Sequence, residues 1–194
     1  MRVFLAGASG VIGVRLTSLL VAEGHEVAGM TRSPGKADAL RALGAEPFVC
    51  DVYDPDALTE AVSAFHPDAV LHELTDLPDD VSRISGFEAA NSRIRREGTR
   101  NLLAAAARAG CDRFVAESVA WPLSGDGGAA VDEMERAVLG AGGVVLRYGQ
   151  FYGPGTYHED EPPEPPRIHL DEAARRTLPA LTWPSGIYVI AEDA

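Results

Sequence analysis

The sequence predicts a doubly wound α/β fold on a parallel sheet, and three observations predict it. The apolar run Arg2 to Ala6 breaks into Gly7-Ala8-Ser9-Gly10-Val11-Ile12-Gly13, and an amphipathic helical pattern begins at once. Strand-like and helix-like stretches then alternate along the chain, the pattern of parallel strands joined by helical crossovers. The 194 residues suffice for a sizeable core, and residues 1–194 read as one domain with no room for a separate substrate domain.

The first strand is short, apolar and suited to burial on both faces. Val11 to Ala22 follows as a helix with Val11, Ile12, Leu16, Leu19 and Leu20 on one side. Between them, Gly7 suits a tight turn, Gly10 allows close backbone approach, and Gly13 lets the helix pack against the strand. The orphan N–H groups and positive end of that helix favour an anion, so the segment has the form of a pyrophosphate-binding loop. Further strands are expected at Glu26 to Met30, Pro47 to Cys50, Ala69 to His72, Arg113 to Ala116 and Val144 to Arg147. Helices are expected at about 35 to 43, 55 to 65, 83 to 109 and 129 to 141. The resulting Rossmann sheet has the order 3-2-1-4-5-6, with a seventh strand available at Ile187 to Ile190. Its ligand crevice falls at the carboxyl ends of strands one and four, where the order reverses.

A net charge of -12 and a pI near 4.8 argue against nucleic acid or an anionic membrane as partner, since both select a basic footprint. No apolar run approaches a bilayer span, and a cytoplasmic location is expected. Cys50 and Cys111 lie beside separate strands without metal-ligand spacing, so the expectation is two buried thiols and no metal. The acidic, proline-rich stretch from His158 to Pro166 reads as an exposed connector, with a lid over the crevice as the alternative. Asp132, Glu133, Glu135 and Arg136 are spaced as a solvated helix face. Arg93, Arg95, Arg96 and Arg100 read the same way, with Arg96 or Arg100 available to an acidic substrate or to the acidic loop.

Taken together, GASGVIG, Thr31-Arg32, Asp51-Val52, EGTRNLLAAAARAG, RFVAES and LRYGQFYGPGT resemble the short-chain dehydrogenase/reductase superfamily, in its extended, epimerase/dehydratase-like branch. The likeness runs along nearly the whole chain, with about 151–194 resembling a reduced remnant of the branch's substrate-binding portion. It implies that Gly7, Ser9, Gly10, Val11, Ile12 and Gly13 bind a dinucleotide, that Asp51 and Val52 border its adenine, and that Tyr152 lies near its nicotinamide. The second strand ends in Thr31-Arg32 with no acid to take ribose hydroxyls; a guanidinium and hydroxyls suit a 2'-phosphate, so NADP is favoured over NAD.

The superfamily's proton relay is a different matter. With Glu135 aligned to the acid that follows the Tyr-x-x-x-Lys motif, the Tyr position falls on Gly127 and the Lys position on Val131. No Tyr lies between Tyr53 and Tyr148, and no Lys follows Lys36. The usual second serine aligns with Val119, leaving Ser118 one residue early, and Arg95 replaces the expected Asn three before Gly98. Ordinary ketone reduction is therefore not expected. Three readings remain open: an atypical oxidoreductase that uses other acids or an activated acceptor, a non-redox isomerase, dehydratase or cyclase, and a nucleotide-binding sensor or scaffold. For an enzyme, the candidate acid or base groups are Glu117, Ser118 and Tyr148 at strand ends, with His72 as a structural histidine. The expected partners are a small-molecule substrate and a second copy in a homodimer.

Overall fold

The computed structural model describes residues 1–78 and 80–192. Seven parallel strands form one sheet: β1 (Arg2–Ala6), β2 (Glu26–Thr31), β3 (Glu46–Val49), β4 (Ala69–His72), β5 (Phe114–Val119), β6 (Val144–Tyr148) and, on the far edge, β9 (Gly186–Ile190). Their order is β3-β2-β1-β4-β5-β6-β9, the expected one with the seventh strand in place. Leu5 stands between Gly29 of β2 and Leu71 of β4, which puts the switch point beside β1.

The period of two along each strand sorts the core into two layers. Val3, Leu5, Leu71, Val115, Leu146 and Tyr148 face α1 (Val11–Ala22), α2 (Ala37–Ala42) and α7 (Leu170–Thr177). Phe4, Ala6, Val70, Phe114, Ala116 and Val145 face α3 (Pro55–Phe65), α5 (Thr99–Arg108) and α6 (Gly125–Gly140). Asp54 caps α3 by accepting from the Ala57 N–H, and Pro55 opens that helix where its missing N–H costs nothing. Both cysteines are free and buried in the second layer; burial above all pushes the Cys50 thiol up to about 11.

Three details depart from the sequence expectations. The continuous helix foreseen from 83 to 109 is divided: a 3-10 stretch (Val81–Gly86), α4 (Glu88–Arg93), a π-helical turn (Ile94–Gly98) and α5. α6 begins four residues earlier than expected, because Ser124 and Gly125, at φ +62°, start it ahead of the apolar repeat. A second, two-stranded parallel sheet joins β7 (Gln150–Tyr152) to β8 (Arg167–His169). The proline-rich stretch lies between these two strands. Just before it, the Tyr157 hydroxyl donates to the Pro78 carbonyl, so the chain there reaches the segment that follows β4.

Candidate functional site

The crevice at the carboxyl ends of the strands has two halves. In the first, Gly7 turns at φ +94° and the Gly10 N–H donates to the Gly7 carbonyl at 2.9 Å. A Cβ on Gly7 would lie 2.5 Å from the Glu73 carbonyl oxygen, and one on Gly13 would lie 2.1 Å from the Gly7 oxygen. Neither position admits any other residue without moving backbone. Val14 is the first residue of α1 to donate to the turn, reaching the Gly10 carbonyl, so the N–H groups of Val11, Ile12 and Gly13 have no intrahelical acceptor. That is a cradle for phosphate.

Around the cradle, the Ser9 and Thr31 hydroxyls lie 2.9 Å apart, and Thr31 also accepts from the Ser33 N–H. Asp51 accepts from the Tyr53 N–H, closing the turn after β3, and the Val52 carbonyl accepts from Asn101. Arg32 is exposed and donates to Asp76 at 3.0 Å, so its guanidinium meets a carboxylate on the loop after β4. Tyr152 donates to Glu192 and stacks edge-on against His169. The residue set fits a dinucleotide: Gly7, Ser9, Gly10, Val11, Ile12 and Gly13 for the pyrophosphate, with Thr31, Arg32, Asp51 and Val52 bordering the adenosine end.

The second half is built from side chains. Residues 73, 117 and 148 share one parity with the Leu71, Val115 and Leu146 layer, and Glu73, Glu117 and Tyr148 are all buried there. Glu117 is buried rather than exposed in a loop, because β5 runs on to Val119 and carries it inside. The Tyr148 hydroxyl lies 2.6 Å from Thr177 Oγ1 of α7 and 3.3 Å from Glu73 Oε1. Thr177 spends its single hydroxyl proton on the Ala173 carbonyl, at 2.8 Å. The Tyr148 hydroxyl therefore has two acceptors in reach, Thr177 Oγ1 and the Glu73 carboxyl, to which it donates. Burial first, and then Glu117, push the Glu73 carboxyl well above its ordinary range, against the hydrogen bond from Tyr148, which lowers it. Burial likewise raises Glu117, while the charge of Arg95 opposes it. Tyr148 is pushed well above the usual phenol value, chiefly by burial.

Ser118 points to the opposite face. Its hydroxyl donates at 2.6 Å to Glu135 of α6, whose carboxylate also takes Nε and Nη2 of Arg147 at 2.9 and 2.6 Å. Glu135 is 4% exposed, not part of a solvated face, because two strand-end partners compensate its charge. Burial works to raise the Glu135 pKa, but the bonds from Arg147 and Ser118 overcome it and hold the carboxyl below its ordinary range. His72 accepts from the Leu74 N–H at Nδ1 and meets Thr99 at Nε2, so it is neutral and structural; burial, then Arg95, bring its pKa down to about 4. The relay positions Gly127 and Val131 both lie on α6, where the Val131 side chain is buried.

Arg95 is also corrected. It is 5% exposed rather than part of a solvated run, while its neighbours keep surface pairs: Arg93 with Glu97, and Arg96 with Asp126 and Glu133. Among the described residues there is no group of three His, Cys, Asp or Glu able to hold a metal ion, and no helix is long and apolar enough to cross a membrane.

Residues 7–146 match the family model described as NAD(P)H-binding. The chain belongs to that family. The chain is 39% identical over 184 residues to a Streptomyces 3-diazoavenalumate denitrifying reductase, covering 80% of this chain and 58% of the reductase. It is 30% identical over 116 residues to the 3-beta-hydroxysteroid dehydrogenase of Mycolicibacterium neoaurum, covering 59% of this chain and 31% of that enzyme. The chain thus spans less than two thirds of these relatives. The fold is shared with the UDP-glucose 4-epimerase of Thermus thermophilus in complex with NAD (TM-score 0.80, 21% identity, 98% of this chain and 78% of that one). The UDP-Glc/GlcNAc 4-epimerase of Campylobacter jejuni is similar in the same sense (TM-score 0.81, 16% identity, 98% and 78%). The doubly wound NAD(P)H-binding sheet expected from the motifs is the one observed.

Proposed function

We propose that the chain is an NAD(P)H-dependent reductase of an electron-poor small molecule, taking NADPH in preference to NADH. One observation carries the reading: the phosphate cradle is intact, while the relay positions hold Gly127 and a buried Val131. When bound, NAD(P)H supplies a hydride. The chain itself keeps no lysine near a tyrosine to acidify it, so acceptors that need a strong push of a proton onto a carbonyl oxygen are poor substrates. An acceptor already activated toward hydride needs much less. The relationship to a reductase that removes nitrogen from a diazo compound supports this class, since dinitrogen leaves as a neutral molecule.

Within this reading Glu117 and Tyr148, with Glu73, line the substrate side and supply its proton donors and acceptors. Ser118 acts as a positioning residue by fixing Glu135. The assay follows NADPH oxidation with a stabilised aryl diazonium salt and with simple aryl ketones, and collects dinitrogen from the former. Turnover of the diazonium salt with stoichiometric gas and negligible ketone reduction supports the reading. Robust ketone turnover, or no binding of either nucleotide, overturns it.

A further inference from the structure

The arginine-rich stretch after α4 contains one guanidinium that the fold buries and leaves without a hydrogen-bond partner. Arg95 is 5% exposed, and its Nε has no partner among the described residues. Nor is Arg95 found in any ion pair there, whereas Arg93 and Arg96, on the same stretch, each grip carboxylates in the open. A buried cation left in this state is costly, and natural folds seldom hold one unless something supplies the missing anion.

The location of Arg95 says where that anion would come from. The turn that carries Arg95 follows directly on α4, which Asn91 ties to the loop after β4, and the charge of Arg95 is felt by His72 at the end of β4 and by Glu117 of β5, so the guanidinium stands at the substrate half of the crevice. It is presented by the π-helical turn Ile94–Gly98, and such turns are frequent at functional sites because they re-aim side chains out of helical register. One turn earlier, Asn91 accepts from the Asp76 N–H and so fixes this helix against the loop that follows β4. Glu117 lies near enough to feel the charge but forms no hydrogen bond or ion pair with Arg95, which leaves the planar donor edge of the guanidinium for another acceptor.

We propose that Arg95 is the anchor for a carboxylate group of the substrate, so that the acceptor is an organic acid, held by its carboxylate at the ends of β4 and β5. A guanidinium matches a carboxylate in plane and in spacing, which a lysine or the asparagine expected at this position does not. This rests on the reductase reading only in taking the crevice as the substrate site.

The test is binding, not turnover. Benzoate, cinnamate and 4-hydroxycinnamate are titrated against the full chain beside their neutral amides, with and without NADP+, by calorimetry or ligand-observed NMR. At least one acid is expected to bind, with its amide at least about tenfold weaker. Arg95→Gln is expected to erase that preference while NADP+ affinity stays within about twofold, and Arg95→Lys to restore part of it. The wild-type comparison stands even where a variant folds poorly. No acid binding, equal binding of acid and amide, or a preference that survives Arg95→Gln overturns the assignment. Acid preference without any nucleotide binding overturns the reductase reading and leaves this one standing; nucleotide binding without acid preference does the reverse.

Discussion

At the carboxyl ends of β1 and β2 the chemistry is carried by backbone. Gly7, Gly10 and Gly13 open the space, helix α1 supplies N–H groups, and the main side-chain hydroxyls present, Ser9 and Thr31, face each other. At the ends of β4, β5 and β6 it is carried by side chains: Glu73, Glu117 and Tyr148 are buried in one layer, Arg95 is buried as well, and Ser118, Glu135 and Arg147 form a second polar knot across the sheet. The two halves tolerate change differently. A backbone cradle has almost no substitutable part, so it is preserved or lost. A side-chain site is exchanged one residue at a time, and in this chain the positions expected for the relay tyrosine, lysine and asparagine hold Gly127, Val131 and Arg95 beside an unaltered glycine cradle.

The sharpest way to break this contrast is to add one methyl group to the cradle. Gly13→Ala puts a Cβ 2.1 Å from the Gly7 carbonyl oxygen, a backbone collision, and should destabilise the fold by more than about 3 kcal/mol and remove nucleotide binding. Urea melts with and without NADPH read both, and a variant with unchanged melts and nucleotide affinity would show the cradle to be softer than it looks. On the substrate side, Glu117→Gln should reduce turnover of an activated acceptor about a hundredfold, whereas Ser118→Ala should act mainly on stability, by about 1–3 kcal/mol, because Glu135 loses one of its donors. Comparing kcat with melting temperature separates them; the reverse pattern would exchange their roles.

A smaller effect tests the raised pKa of Glu73. A carboxyl whose folded pKa lies above its unfolded value, near 4.5, favours the fold only below that value, and the benefit falls as pH rises toward the folded pKa. Glu73→Gln removes the ionisation, so the variant should gain stability over the native chain progressively as pH climbs from about 4.5. A stability difference flat in pH would mean that the fold does not raise the Glu73 pKa. The smallest expected effect is at Arg32. Its pairing with Asp76 means that a 2'-phosphate replaces one partner with another, so Arg32→Ala should lower the preference for NADPH over NADH by no more than about tenfold. Affinity ratios from paired titrations check this, and an unchanged ratio would take Arg32 out of cofactor choice.

The cradle and sheet order were legible in the sequence because glycine spacing and strand alternation are local signals. The substrate half was only partly legible. Glu117 and Tyr148 follow from strand ends, but Glu135 sits among charged residues on α6 and Arg95 among arginines, where helical spacing alone says surface. What draws them inside is long-range: Ser118 and Arg147 on neighbouring strands for Glu135, and the π-helical turn for Arg95. Parity along β5 was the available clue, since it places residues 117 and 118 on opposite faces and so asks for a separate partner for each. The β7–β8 ribbon carried no such signal, its strands being three residues each.

One contact ties the halves together. The space that a side chain on Gly7 would occupy is filled by the Glu73 carbonyl, so the turn of the cradle and the path of the chain after β4 are cut to one another's shape. For anyone redesigning this scaffold, residue 73 is therefore two things at once. Its side chain is an open choice for installing new chemistry at the strand ends, but its main chain is a wall of the cofactor's own pocket, and insertions or deletions there would be felt first in nucleotide affinity.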